Sequence, residues 1–548
     1  MKVIIIGGVA GGMSTATRLR RLDEQAEIIV LDKGQYVSFA NCGLPYYVSG
    51  QISERSDLLL NTPEGLKERF NLDVRVSSEV TTIDREVKRV TIQTPTGSYQ
   101  ESYDNLVLSP GAVPIVPSIP GYQTASNIFT LRSVEDLDEL MSYIDQQQPK
   151  KAVVVGAGFI GLEMIENLAE KGLEVTLVEQ APHVLPSLDK EMAAFVSQEL
   201  TNQGVDVRVA HSVIEILKEG QAVRLEDETL IETDLIIMSI GVKPMSQLAK
   251  QAGLSLGLKE GILVDENYQT SDPSIYAVGD AIVVKNQLTG EDALISLASP
   301  ANRQGRQVAD VLAGKVRKNR GSIGTAIVRV FGLTAASTGL TERQLKASQL
   351  DYQVIHVRGN DHAGYYPNAT PLTLKLLFNP KTGELYGAQG VGAKGVDKRI
   401  DVLATAIKAG LTVEELPELE LTYAPPFGVA KDPVNMLGYV ALNVMEGLTD
   451  MVQWSELPQL LASGSMLLDV RNVGELSRGR FKNSLNIPLN ELRNRLDELD
   501  KSLDYVVSCA SGQRSYLAER LLKQAGFKVK NLDGSFFLYS VVCPEELI

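Results

Sequence analysis

The sequence predicts an α/β protein of several domains, and three observations carry that expectation. A glycine-rich strand–turn–helix unit opens the chain, a cleaner copy of it begins at Ala152, and a third strand runs straight into a loop at Cys509. In each, a buried strand passes to a helix through a tight turn, which is how parallel α/β sheets meet anionic ligands. With 548 residues there is room for three or four domains of roughly 100–200 residues each.

Composition narrows the function classes. A hydrophobic share of 44% and a charged share of 22% suit a soluble globular chain. The formal charge of -15 argues against nonspecific nucleic-acid or anionic-membrane binding, because both need clustered positive charge. The apolar run at residues 3–6 breaks into glycines too early for a signal peptide, and no run reaches the ~18–20 apolar residues that span a bilayer. Cys42, Cys509 and Cys543 lie far apart without a CxxC pair, so neither a disulfide framework nor a metal site is expected. These features predict a cytoplasmic protein without nucleic-acid or membrane partners.

The first unit reads as a strand over Val3–Ile6, a turn Gly7-Gly8-Val9-Ala10-Gly11-Gly12, a helix over Met13–Leu22 and a second strand over Ile28–Leu31 that ends at Asp32. Such a turn lets backbone N–H groups approach a pyrophosphate, while an acid roughly 20 residues on holds ribose hydroxyls. Val9 stands where the middle glycine of G-x-G-x-x-G is usual. The second copy keeps all three: strand Ala152–Val155, turn Gly156-Ala157-Gly158-Phe159-Ile160-Gly161, helix Leu162–Lys171 and strand Val175–Val178 ending at Glu179. Two such units point to two nucleotides. A carboxylate at Glu179 repels a 2′-phosphate, so NADH is the preferred partner, with Gln180 and His183 leaving tolerance for NADPH.

Two more strands end in turns, Leu106-Val107-Leu108-Ser109-Pro110-Gly111 and Ile275-Tyr276-Ala277-Val278-Gly279-Asp280. With these segments in place, residues 1–445 resemble the FAD-dependent pyridine nucleotide–disulfide oxidoreductases. The resemblance implies two Rossmann-like domains, with FAD in the first held by Gly7, Ala10, Gly11, Gly12, Asp32, Lys33, Val80, Ser109, Pro110, Gly111, Arg132, Asp280, Ala298 and Phe427. It places NAD(P)H in the second at Gly156, Gly158, Phe159, Ile160, Gly161, Glu179 and Gly241. A helix starting near Ser296–Pro300 would aim its positive end at the flavin. The implied domains are 1–149 and 271–324 for FAD, 150–270 for NAD(P)H, and 325–447 for an α+β dimerisation domain, so a homodimer is expected.

Between the first unit and the second lies Ser38-Phe39-Ala40-Asn41-Cys42-Gly43-Leu44-Pro45-Tyr46-Tyr47. Cys42 reads as a redox thiol: a thiolate attacks a disulfide or persulfide, keeps one half, and needs an electron source to release it. Dithiol members of the family carry CxxxxC, whereas here Tyr47 takes the second position. Peroxidase members carry a histidine in the first turn, whereas here Ala10 stands there. The remaining likeness is to the coenzyme A-disulfide reductase branch. It implies that Tyr365, Tyr366 and Tyr423 act with Cys42, a phenol being able to protonate a departing thiolate. Coenzyme A is expected at Ser14, Arg18, Arg21, Ser38, Asn41 and Lys431, the first three falling on one helix face.

From residue 455 to 548 the chain restarts. Met466–Val470, Leu485–Leu489 and Tyr505–Ser508 read as strands, the third entering Cys509-Ala510-Ser511-Gly512-Gln513-Arg514-Ser515, with a helix over Tyr516–Ala525. A cysteine at a strand end, facing a helix N-terminus and Arg514, is a site built to hold sulfur anions. The piece resembles a rhodanese domain, including Leu468-Asp469-Val470-Arg471 and Glu475. Its usual GG-x-x-x-W ending is replaced by Gly534-Ser535-Phe536-Phe537. Cys543 is assigned no role.

Taken together, the expected activity is NAD(P)H- and FAD-dependent reduction of coenzyme A persulfide, polysulfide or coenzyme A disulfide through Cys42, with Cys509 handling sulfane sulfur. A flavin NADH oxidase or peroxidase and a non-enzymatic flavin redox sensor are the competing readings.

Overall fold

The computed structural model describes residues 1–548 and divides into two compact units, one of residues 1–182 and 204–324, the other of residues 183–203 and 325–548. No helix is long and apolar enough to cross a membrane.

In the first unit, strand Lys2–Ile6 is central in a five-stranded parallel sheet. Glu27–Leu31 and then Asp73–Arg75 lie on one side, Asn105–Leu108 and then Ile275–Ala277 on the other. Val3, Ile4 and Ile5 are wholly buried, as a parallel strand covered on both faces must be. The second parallel sheet repeats the plan around Lys151–Val155, with Glu174–Glu179 and Asp206–Val209 on one side and Leu235–Met238 and Ile128–Phe129 on the other. Both glycine turns are therefore carried at the end of a central strand.

The helix after the first turn is Ala10–Arg20, starting earlier than the expected Met13. A Cβ on Gly12 would lie 1.9 Å from the carbonyl oxygen of Gly7, so the glycines themselves form the first helical turn. The same shift occurs after the second turn, where the helix is Phe159–Glu170. Two antiparallel sheets, over residues 79–102 and 213–232, had no counterpart in the expected elements.

The second unit holds a five-stranded antiparallel sheet in the order Ala326–Val330, Leu333–Gly339, Leu385–Gly392, Pro371–Phe378, Gln353–Asn360. Helix Val396–Ala409 follows the last of these strands in sequence and ends at Gly410 in the left-handed region (φ +73°). The terminal piece is a parallel sheet ordered Met451–Val452, Lys528–Leu532, Asp504–Ser508, Met466–Asp469, Leu485–Asn486. Its last strand is shorter than expected, because Pro488 stops it and a helical turn Leu489–Leu492 follows.

A buried charge cluster joins these parts of the second unit. Lys375 Nζ, with no solvent exposure, pairs with Asp189 (2.8 Å), Glu342 (2.6 Å) and Glu191. His356 bridges Glu191 (3.3 Å) and Asp533 of the terminal sheet (2.8 Å), and Gln453 donates to the same Asp533 oxygen (3.2 Å). Burial opposes charge on His356, but Asp533 and Glu191 outweigh it and raise its pKa to about 9. Removing one partner of such a cluster costs about 3–5 kcal/mol, since it strands a charge away from water.

Candidate active sites: two nucleotide cradles and two thiols

The first glycine turn opens on a cavity of about 960 Å³. Every residue assigned to FAD lines it except Gly12, Ala298 and Phe427. Gly12 is buried under the turn, Ala298 is the first residue of helix Ala298–Leu312, whose Ala301 reaches the cavity instead, and Phe427 is an exposed residue of the second unit. Asp32 accepts from Gly8 N (2.7 Å) and Gly34 N (2.8 Å). Burial pushes the carboxyl groups of Asp32 and Asp280 up and Arg132 down. Desolvated charged groups on a cavity wall suit a dinucleotide, whose hydroxyls and pyrophosphate can bond to them. The residues present therefore fit FAD. Glu135, which also lines the cavity and accepts from Gln35 N (2.7 Å), had no signal in the spacing of the motifs.

The second turn repeats the first bond for bond. Glu179 accepts from Ala157 N and Ala181 N (both 2.6 Å), Gly156 N donates to Val178 O (2.8 Å), and Ser239 N donates to Val155 O (2.8 Å). At Gly158 a Cβ would meet nothing within 4 Å, which leaves the approach to helix Phe159–Glu170 open for a pyrophosphate. Phe159 and Ile160 form its first turn, and Gly241 lies beyond strand Leu235–Met238 in the left-handed region (φ +109°).

Cys42 lies in the single turn Asn41–Gly43, just before helix Leu44–Val48. Both nucleotide units hold it in place. Ser38 N donates to Gly8 O (2.8 Å) in the first turn. From helix Phe159–Glu170 after the second glycine turn, Glu163 accepts from the Tyr46 hydroxyl (3.2 Å), Asn167 from Ser49 (2.6 Å) and Glu170 from Gln51 (2.5 Å). Glu163, Asn167 and Glu170 fall at i, i+4 and i+7, one face of that helix, and the periodicity was the only trace of this in the sequence. The thiol is exposed on one side, while Asn41 beside it lines the cavity. Burial of its inner side raises its pKa, and the Glu163 and Asp280 carboxylates push the same way.

Of the residues expected to hold coenzyme A, Ser14 donates to Asn302 (2.6 Å) and Ser38 accepts from Asn61 (3.2 Å). Arg18 pairs with the buried carboxylate of Asp310 (2.8 Å), which Arg317 shares, so its guanidinium is oriented toward a partner within the protein. Arg21, Asn41 and Lys431 are exposed. In the second unit, Tyr365, Tyr366, Tyr423 and Phe427 are all exposed, and the hydroxyls of Tyr365 and Tyr423 are 3.2 Å apart. His362 supports them, its ring bonded to Asp361 (2.7 Å) and set edge-on to Tyr366.

Cys509 is buried at the end of strand Asp504–Ser508. Its sulfur accepts from Gly512 N (3.1 Å) and lies 3.8 Å from the Ser535 hydroxyl, while its own N–H donates to Ser535 Oγ (3.2 Å). Ser535 takes a left-handed backbone (φ +52°) at the position where the usual ending has glycine. Its hydroxyl bonds to Cys509 compensate for that strain, and the departure noted in the sequence marks the residue. Arg514 makes a two-pronged pair with Glu475 (2.6 and 2.7 Å), which holds the Glu475 carboxyl at about 2. The helix beyond is Gln513–Gln524, beginning inside the loop.

Comparison with known proteins agrees with this geometry. Residues 1–305 match the pyridine nucleotide-disulphide oxidoreductase family, residues 325–432 its dimerisation domain, and residues 453–540 a rhodanese-like domain. The chain is 38% identical over 445 residues to a coenzyme A disulfide reductase of Staphylococcus haemolyticus, spanning 80% of this chain and 99% of that one. It superposes on the crystal structure of reduced Bacillus anthracis CoADR-RHD with a TM-score of 0.98 at 53% identity, covering 100% of this chain and 99% of that one. It superposes on an NAD-dependent persulfide reductase from A. fulgidus with a TM-score of 0.94 at 40% identity, covering 98% and 100%. The chain thus belongs to the pyridine nucleotide-disulphide oxidoreductase family, in its coenzyme A disulfide reductase branch, extended by a rhodanese-like domain.

Proposed function

We propose that this protein reduces coenzyme A persulfide, polysulfide or coenzyme A disulfide with NAD(P)H, through FAD and Cys42, and that Cys509 delivers or accepts sulfane sulfur. The observation that carries the reading is a lone exposed thiol beside the dinucleotide cavity, held between the two glycine-turn units and within the field of Asp280. FAD bound in that cavity supplies the electron pair taken from NAD(P)H. The Cys42 thiolate attacks the coenzyme A sulfur of a persulfide, hydrosulfide leaves, and a Cys42–coenzyme A mixed disulfide remains. Two electrons and a proton then split it into coenzyme A thiol and the Cys42 thiolate.

The chain's own residues divide the remaining work. Asp32 and Asp280 bind sugar hydroxyls, Arg132 answers negative charge in the cavity, and Glu179 favours NADH. Arg21, Ser38, Asn41 and Lys431 receive coenzyme A, Arg18 holding the helix face through Asp310 rather than by its own charge. The exposed tyrosines act in a homodimer, where Tyr365, Tyr366 and Tyr423 of one subunit serve the Cys42 of the other, in the cytoplasm. The domain limits 1–149, 150–270, 271–324, 325–447 and 455–548 complete the assignment.

The test is sulfide release from coenzyme A persulfide with NADH, for wild type, Cys42→Ser and Cys509→Ser. Sulfide release that persists in Cys42→Ser at the wild-type rate would refute the role given to Cys42.

A further inference from the structure

The Cys509 site has a charged neighbour that none of the roles above uses. Strand Gln353–Asn360 presents alternate residues of one face to the terminal sheet, as strand geometry requires. The carbonyl of Val354 accepts from Gln453 (3.1 Å), His356 pairs with Asp533, and the guanidinium of Arg358 lies 3.1 Å from the centre of the Phe537 ring. Phe537 is in the first turn of helix Ser535–Val542, and its N–H donates to the carbonyl of Ala510 in the Cys509 loop (3.0 Å). Arg358 therefore stands one aromatic ring away from the sulfur-transfer loop.

Arg358 has no carboxylate partner. The acids on the same surface, Glu191 and Asp533, are engaged by Lys375 and His356. Burial pushes its pKa down to about 10 and no acid raises it, so at neutral pH it is a half-desolvated cation. Stacking on Phe537 offsets part of that cost. Charge-assisted bonds to an oxyanion would offset more, because the planar guanidinium matches phosphate geometry. The loop's own arginine does not compete, since Arg514 spends two nitrogens on Glu475.

The geometry points to Arg358 as a phosphate-binding residue at the mouth of the Cys509 loop, holding the phosphate end of a sulfur carrier while its sulfane sulfur reaches Cys509. Arg358 reaches the loop only through Phe537, whose ring it stacks on and whose N–H bonds Ala510, which sets the anion apart from the transferred sulfur. That spacing favours a carrier with a remote phosphate, such as coenzyme A persulfide, over thiosulfate, whose charge sits on the sulfur itself. The inference rests on the reading that Cys509 accepts sulfane sulfur. In the step, the Cys509 thiolate attacks the outer sulfur and a new S–S bond forms at Cys509. The donor S–S bond breaks, and its electron pair leaves on the coenzyme A thiolate.

The full-length protein can be assayed for thiocyanate formation with cyanide, using coenzyme A persulfide, pantetheine persulfide and thiosulfate as donors. Arg358→Gln is expected to raise KM about tenfold for coenzyme A persulfide, the loss of one charge-assisted pair, and to change the other two less than twofold. Arg358→Lys is expected to fall between wild type and Arg358→Gln. Equal losses with all three donors would show a packing role and overturn the proposal, as would no loss with coenzyme A persulfide. Should Arg358→Gln not fold, inorganic pyrophosphate decides. Competitive inhibition of wild type that weakens in Arg358→Lys supports the site, and equal or absent inhibition in both overturns it. If wild type passes no sulfur from any donor to Cys509, the underlying reading fails and this inference falls with it, an outcome distinct from intact transfer that ignores Arg358.

Discussion

The two thiols occupy opposite settings. Cys509 is buried and meets an N–H donor from Gly512 and a hydroxyl from Ser535, with Glu475 orienting the nearby arginine. Cys42 is exposed on one side, and burial of its inner side raises its pKa, with the carboxylates of Glu163 and Asp280 pushing the same way. The difference separates two kinds of sulfur chemistry. A pocket that supplies its own donors can hold a transferred sulfur anion without help. A half-buried thiol with carboxylates nearby has its thiolate disfavoured, so reductive cleavage, which leaves a thiolate, works against its surroundings.

That contrast can be broken at several points. The largest effect is expected for Cys42→Ser, which should lower NADH-dependent sulfide release by on the order of a thousandfold, because a nucleophile that forms the covalent intermediate is removed. Stopped-flow absorbance would show NADH still reducing the flavin in that variant. Smaller is the effect of Glu475→Gln, which leaves Arg514 without its two-pronged partner. Sulfur transfer to cyanide should fall about tenfold, by analogy with other supporting residues whose loss misorients a site. In wild type the pair's contribution to stability should be full above about pH 4.5 and lost as pH falls through about 2, where Glu475 is held.

Glu163→Gln tests the other thiol. Removing one carboxylate lowers the cost of the Cys42 thiolate, and alkylation by iodoacetamide at pH 8 should quicken about threefold. An unchanged rate would remove Glu163 from the account and leave burial and Asp280 to set the thiol. The smallest effect concerns the mount of the Cys509 pocket. His356 is raised to about 9, so its pairing with Asp533 contributes fully below about pH 6.5 and is lost as pH rises through 9. The melting temperature should drop by about 2–4 °C more across that range in wild type than in His356→Gln. Parallel curves for the two proteins would remove His356 from the account.

How much was legible in the sequence follows from the range of the interaction concerned. Strand Lys2–Ile6, both glycine turns and helix Val396–Ala409 are set by neighbours in the chain, and the sequence shows them within a few residues. Strand Leu385–Gly392 was missed because its glycines hide its pattern. A Cβ on Gly387 would lie 2.1 Å from Leu340 O, a constraint from a segment distant in the chain. Arg18 was expected to meet phosphate, since its helical spacing is visible and its partner Asp310, almost 300 residues on, is not. Glu163 beside Cys42, over 100 residues away in the chain, was hidden for the same reason.

The sequence by itself determined the local patterns: two glycine turns with acids at the next strand's end, one lone cysteine without a CxxxxC partner, and one cysteine loop opening a helix. These are local patterns of turn, strand and nucleophile, which few intervening residues can disguise. Only the tertiary structure decided the carboxylates beside Cys42, the pairing of Arg18 with Asp310, the buried cluster around Lys375 and the unanswered charge of Arg358. Each depends on which distant charge is packed a few ångströms away, and Coulomb energy in a dry interior is governed by that distance rather than by spacing along the chain.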